Sequence, residues 1–209
     1  MDTRQVDHDL GLWQSPWRRW LLLASMLVLG SGYIAAFVFF RTHSEDFVAR
    51  QIDARALDYA CANRLSPPAE LRFASGSADL ALLGTGWNQA DTDGLWSRDA
   101  DASLMLCAPA GRDLLLDLRL HSFVARRHPA VDVTLLANGT MLGQWRTRVG
   151  QNRIDEQVRI PATLIGDGRI KLTFRVDTPA SPRVMRTGPD MRRLGIFVSQ
   201  LKILPAPER

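Results

Sequence analysis

The stretch WLLLASMLVLGSGYIAAFVFF, residues 20–40, carries no charge over 21 residues. At about 1.5 Å of rise per residue it spans a hydrocarbon core of about 30 Å. Trp13, Trp17 and Trp20 stand at its start, where aromatic rings favour a membrane interface, and Arg18 and Arg19 abut the same side. Beyond it, Arg41 is soon followed by Glu45 and Asp46, so the distribution of cations favours a cytoplasmic N-terminus with the rest of the chain outside. A signal peptide is the competing reading. Its apolar core usually covers about 7–15 residues and ends in a small-x-small cleavage site. Here the run is longer and ends Phe-Val-Phe-Phe-Arg-Thr-His, which reads as an uncleaved anchor.

Residues 1–19 then form a short cytoplasmic tail and residues 20–40 a transmembrane helix. Residues 44–65 read as a juxtamembrane helix. Ser44 is its expected N-cap, Glu45 and Asp46 favour the positive end of its dipole, and Phe47, Val48, Ile52, Leu57 and Tyr59 form a loose apolar stripe. Ser66-Pro67-Pro68 breaks it.

From residue 70 the period changes. LRFAS, DLALLG, ASLMLCA, DLLLDLRLHSF, VDVTLLA, TMLGQWRTR, EQVRIP, RIKLTFRVD and LGIFVSQLKIL are short, rich in branched residues and often alternate apolar with polar. That pattern predicts strands with one buried face. Asn138-Gly139, between two such runs, is the preferred dipeptide of a type I′ hairpin turn, and Ile165-Gly166-Asp167-Gly168 marks another reversal. Eight or nine strands without βαβ alternation predict an all-β, antiparallel jelly-roll β-sandwich over residues 70–205, preceded by the two helices.

Charge and motifs narrow the function classes. The formal net charge is +4, yet lysine occurs only at Lys171 and Lys202, and the arginines are interspersed with carboxylates. No nucleic-acid tail results, and the arginine excess is compatible with GC-rich coding as well as with an anion-binding surface. His8, His43, His121 and His128 are scattered, so no zinc set is expected. No Gly-x-Ser-x-Gly elbow or phosphate-cradling Gly-x-x-x-x-Gly-Lys occurs, and no cofactor is implied. Outside the cytoplasm Cys61 and Cys107 could persist as a disulfide or as two separate thiols. Asn138-Gly139-Thr140 also matches a glycosylation acceptor, but the hairpin explains Asn-Gly without any sugar.

GTGWNQADTDGLWSRDADASLML, residues 84–106, concentrates the remaining candidates. Asp91, Asp93, Asp99 and Asp101 suit turn chemistry first; calcium binding and glycosidase-like catalysis are the alternatives. Trp87 and Trp96, nine residues apart, fall on different strand faces or separate strands, so one buried and one exposed ring is expected. An exposed one, with Asn88, Gln89 and Arg98 nearby, could stack on a pyranose ring; a buried one fills the core.

Gly86-Trp87, Asp93-Gly94-x-Trp96-Ser97, ASLML, VTLLANG, VRIP, Ser181-Pro182 and Asp190-x-Arg192-x-Leu194-Gly195 follow one another in this order. The series resembles the extracytoplasmic, carbohydrate-binding-like β-sandwich domain of bacterial membrane glycosyltransferases and phosphoglycerol transferases, over roughly residues 70–205. The many-span catalytic part of those proteins has no counterpart here, so catalysis does not carry over. The resemblance implies a single-pass accessory protein of the bacterial inner membrane with a periplasmic main domain, assisting envelope polysaccharide or glycolipid assembly. It would bind glycan or dock on a multi-span glycosyltransferase, and is not expected to be an enzyme. Candidate carbohydrate contacts are Trp87, Asn88, Asp93, Trp96, Arg98, Asp190 and Arg192, although Asp190 with Arg192 also suits a local ion pair fixing the last long loop. The rival readings are a structural subunit of an envelope complex that never touches sugar and, further off, a glycan-active enzyme. Gly30-Ser31-Gly32 and Ala35-Ala36 would give such a subunit small residues for close helix approach.

Overall fold

The computed structural model describes residues 16–207; the expected cytoplasmic tail, Trp13 included, lies outside the described residues as far as Ser15. Helix α1 covers Pro16–Ala62, and the chain divides into a first unit ending at Val48 and a second beginning at Ala49.

In the first unit α1 is exposed along its apolar run, with Leu27, Leu29 and Phe40 each at least 70% exposed. Among the described residues α1 is the one helix long and apolar enough to cross a membrane. Its serines hide their own polarity: the Ser25 and Ser31 hydroxyls donate to the carbonyls of Leu22 and Val28 at 2.9 and 3.0 Å. Ser44 does not cap a helix start. It lies inside α1, and its hydroxyl donates backward to the Arg41 carbonyl at 3.4 Å, because the residues before it are already helical.

The second unit is a β-sandwich of two antiparallel sheets. Its strands are β1 (Ala69–Arg72), β2 (Leu95–Trp96), β3 (Asp101–Cys107), β4 (Leu114–Ser122), β5 (Ala130–Ala137), β6 (Thr140–Arg148), β7 (Arg153–Ile160), β8 (Arg169–Val176) and β9 (Ile196–Pro205). One sheet runs β1-β9-β4-β7 with β2 also on β9; the other runs β3-β8-β5-β6. Alternation along β4 and β9 sends Leu116, Leu118, Leu120, Ile196, Val198, Leu201 and Ile203 inward against Leu104, Leu106, Leu135, Ile170, Leu172 and Phe174 of the facing sheet. DLALLG, expected as a strand, is instead a 3-10 turn over Ala78–Leu82. Ser77 caps it by accepting the Asp79 amide at 3.3 Å, and the Asp79 carboxylate accepts the Arg72 amide at 2.8 Å, so local side-chain bonding wins over pairing. At the β5–β6 hairpin Asn138 and Gly139 have φ of 48° and 83°, the two positive values a type I′ turn requires.

β3 is buried along Ala102–Cys107 without alternation, which requires cover on both faces. The facing sheet covers Ala102, Leu104 and Leu106. The last turns of α1, residues 49–62, cover the side bearing Ser103, Met105 and Cys107, with Ala56 and Ala60 buried there. Two ties fix the helix. Asp53 accepts the Ser103 hydroxyl at 2.8 Å and the Thr85 amide at 3.0 Å and pairs with Lys171. Cys61 and Cys107 form a disulfide. Eight residues of helix rise about 12 Å and four of strand about 13 Å, so α1 runs along β3 in step with it. Burial pushes the Asp53 carboxyl up, but the hydrogen bonds from Lys171, Ser103 and Thr85 carry it below its ordinary value.

The disulfide closes a loop between residues 46 apart. Replacing both partners (Cys61→Ser with Cys107→Ser) is expected to lower unfolding stability by about 4 kcal/mol on the loop-entropy model. Urea unfolding of the full-length protein in detergent, against the wild type with and without reductant, measures it.

Candidate functional site

The outer face of the five-stranded sheet carries a packed cluster of rings whose strand positions form one cross-strand row. Trp96 on β2 is opposite Phe197 on β9, Phe197 is opposite His121 on β4, and His121 is opposite Arg153 on β7. Their neighbours Leu95, Ile196, Val198 and Leu120 point into the core, so the pleat turns Trp96, Phe197 and His121 to the other side. Ring centroids are 5.2 Å apart for Trp96–Phe197, 4.8 Å for His121–Phe197 and 5.2 Å for Trp96–His121, with Phe123 a further 6.4 Å from Trp96. The close approach at the head of the row depends on Gly94, since a Cβ there would come within 2.6 Å of both Phe197 Cζ and the Val198 carbonyl.

Beside the row lies a groove of about 550 Å³ lined by Asp117, Arg119, His121, Arg153, Asp155 and Gln157 among others. Asp117 and Arg119 approach to 3.7 Å. Burial holds the His121 imidazole below its ordinary pKa, the Arg153 charge lowers it further, and the Asp93 charge opposes them. At neutral pH His121 is therefore an uncharged ring. Half-buried aromatic rings, Trp96 edge-on to His121 at 89° and tilted at 57° to Phe197, beside amide, guanidinium and carboxylate groups form a combination that can contact a sugar ring and bond its hydroxyls.

The seven candidate contacts separate. Trp96 is in the row, and Asp93 is exposed and acts on His121 through its charge. Trp87 belongs to the core side: its Nε1 donates to the Ser103 carbonyl at 2.7 Å, and its ring meets Phe174 edge-on at 5.9 Å. Asn88, Asp190 and Arg192 join two loops. Asn88 Nδ2 donates to the Arg193 carbonyl at 2.8 Å, while Arg192 binds Asp190 at 2.9 Å and Asp91 at 3.0 Å. Both carboxylates raise the Arg192 pKa, and the Arg192 hydrogen bonds lower that of Asp190. Arg98 pairs with its neighbour Asp99 at 2.8 Å. Of the four clustered aspartates, Asp91, Asp99 and Asp101 are each paired with an arginine, Asp101 doubly with Arg175. Among the described residues no three His, Cys, Asp or Glu side chains converge as a metal site would need. Sequence reasoning did not single out Phe197, Phe123 or Arg153, and it considered His121 only as one of four scattered histidines. The available signal was alternation, with His121 and Phe123 two apart and Phe197 between the inward Ile196 and Val198.

No protein-family model matches the chain, and no curated protein matches it in sequence. Solved structures share a distant likeness. A carbohydrate-binding module CBM36 in complex with calcium and xylotriose is 12% identical over 65% of this chain and 98% of that one, with a TM-score of 0.35. A carbohydrate-binding module, CBM6cm-2, from Cellvibrio mixtus lichenase 5A in complex with cellotriose is 13% identical over 67% and 98%, with a TM-score of 0.33. A ruminal GH26 endo-beta-1,4-mannanase is 11% identical over 70% of this chain and 27% of its own length, with a TM-score of 0.39. The chain thus spans about a quarter of that enzyme. Likeness at this level assigns neither a ligand nor a reaction to this chain.

His121 gives the site a pH signature. Its folded pKa lies below its unfolded value near 6.5, so the unfolded chain takes up the proton first as pH falls. Its contribution to stability is present above about pH 6.5 and is lost as pH falls through the folded pKa. His121→Phe keeps a ring in the row and removes this loss. Thermal unfolding of the two proteins between pH 7 and 5 is expected to give a flatter profile for the variant. The carboxylates of Asp53, Asp101 and Asp190, all held low, should still lose stability in both proteins at lower pH.

Proposed function

We propose that this protein is a single-pass, membrane-anchored glycan-binding accessory of bacterial envelope or exopolysaccharide assembly. Its apolar helix is read as an uncleaved anchor in the inner membrane, and its sandwich, whose strand order we read as a jelly roll, as a periplasmic domain. The observation that carries the glycan reading is the ring row Trp96–Phe197–His121 ending in Arg153 beside the groove of about 550 Å³. The disulfide supports a compartment outside the cytoplasm, where such bonds persist. We read the domain as a binding module and not an enzyme, with Asp91, Asp99 and Asp101 each held by an arginine. The glycan would be delivered to, or held beside, a multi-span transferase.

Full-length protein in detergent, titrated with a panel of neutral and acidic bacterial glycans, tests this reading. Saturable binding is expected, with Trp96→Ala weakening it at least about tenfold, the effect of losing roughly 1.4 kcal/mol of stacking. Trp87→Ala should instead lower stability, by about 2–4 kcal/mol, through lost packing and the lost indole hydrogen bond to the Ser103 carbonyl, which keeps the Gly84 amide as a partner. Absence of binding to every glycan by the folded wild type would move the protein to the docking role alone. Release from membranes by alkaline carbonate would contradict the anchor.

A further inference from the structure

The end of the sandwich at which α1 departs carries a second surface. Asp53 meets Ser103 and Cys61 meets Cys107, so Ala49, four residues before Asp53, is level with Asp101 and its partner Arg175. There β8 ends at Val176, and the chain enters the loop of residues 177–195, which contains the short helix α3, Pro182–Met185.

The loop holds its shape through its own bonds. Ala180 bridges to Leu194, the Ser181 hydroxyl and the Arg183 amide donate to the Asp190 carbonyl at 3.0 and 2.9 Å, and Arg192 is clamped between Asp190 and Asp91. On this frame Val184 and Met191 are 69% and 71% exposed. Arg183, whose Nη1 lies 3.5 Å from Met191 Sδ, stands with Arg186 and Arg193 on the same loop, and all three are exposed. Among the described residues none of the three makes an ion pair, and the carboxylate of Asp190 is held by Arg192. A held loop that offers two apolar side chains to water, among arginines without counter-charges, matches the chemistry of a bilayer surface. Apolar tips favour the acyl boundary, and guanidinium forks favour phosphate oxygens.

We propose that this loop docks on anionic phospholipid headgroups, with Val184 and Met191 entering the headgroup boundary and Arg183, Arg186 and Arg193 meeting phosphate. The inference rests on the anchor reading. The apolar run ends at Phe40, nine residues before Ala49, and nine residues reach at most about 32 Å. This end of the sandwich is thereby kept within reach of the membrane surface, where a modest affinity suffices because the local concentration is high.

The test uses the full-length chain in lipid nanodiscs, with the photo-crosslinker benzoylphenylalanine replacing Val184 or, at the opposite end of the sandwich, Asp167. After illumination, adducts are identified by mass spectrometry. In discs of phosphatidylcholine with a third phosphatidylglycerol, the Val184 position is expected to give phospholipid adducts and the Asp167 position none. Combining Arg183→Gln, Arg186→Gln and Arg193→Gln leaves the Asp190–Arg192–Asp91 clamp in place and should cut the yield at least roughly fivefold, as should discs of phosphatidylcholine alone. Equal yields at the two positions, yields indifferent to phosphatidylglycerol, or adducts to a co-purifying protein would each overturn the docking proposal. A chain that does not enter the discs would overturn the anchor reading itself, a result distinct from an inserted chain with no adduct at Val184.

Discussion

Cover on both faces of β3 is the constraint around which the second unit is organised. A strand without alternation cannot end a two-layer fold; one of its faces would be left in water. Residues 49–62 of α1 supply the third layer, and Ala56 and Ala60 let the helix backbone come close to the sheet. Packing alone would fix neither the depth nor the register of that helix. The Asp53 contacts with Ser103, Thr85 and Lys171, and the Cys61–Cys107 bond, fix both. The opposite, five-stranded sheet is then free to keep its outer face open, and the ring row stands there.

The row and the loop frame are two uses of the same segment. Between Trp87 and Trp96 the chain folds back as a hairpin, with Trp87 bridged to Ser97 and the Asp91 amide donating to the Gly94 carbonyl at 2.7 Å, and Gly94 leaves room for Phe197. Trp87 anchors the beginning of the hairpin on the core side through Phe174 and the Ser103 carbonyl. Asp91, at its turn, reaches Arg192 and ties the hairpin to the last long loop. Trp96 emerges at its end among Phe197, His121 and Phe123. Replacing a residue in this segment therefore acts on folding where its side chain faces the core, as at Trp87 and Leu95, and on the open face where it is turned outward, as at Trp96.

Much of the fold was legible because its signals are local. The uncharged run of residues 20–40 stands out in composition, Asn138-Gly139 in turn chemistry, and β4, β5, β8 and β9 in alternation. DLALLG misled because its apolar content resembles a strand, while the bonds that curl it come from Ser77 and Asp79. Ser44 misled because a capping residue and a mid-helix serine differ only in whether the preceding residues are helical. The site was less legible. Trp96, Phe197 and His121 are separated by up to 101 residues, and only the pairing β2-β9-β4 makes them neighbours. Tryptophan, asparagine and arginine on one short stretch suggested a single surface; long-range bonding sent Trp87 and Asn88 to structural duties, and Arg98 pairs with its neighbour Asp99.

The course of α1 along β3 also decides how this domain bears mechanical load. A force drawing α1 toward its N-terminus acts parallel to the strand, so the Asp53 contacts and the Cys61–Cys107 bond resist it in shear. Failure by peeling, one contact after another from an end, would need a force directed away from the sheet. The covalent tie lies at the far end of the packed segment, so rupture of the polar contacts at Asp53 still leaves the helix fastened to the sandwich.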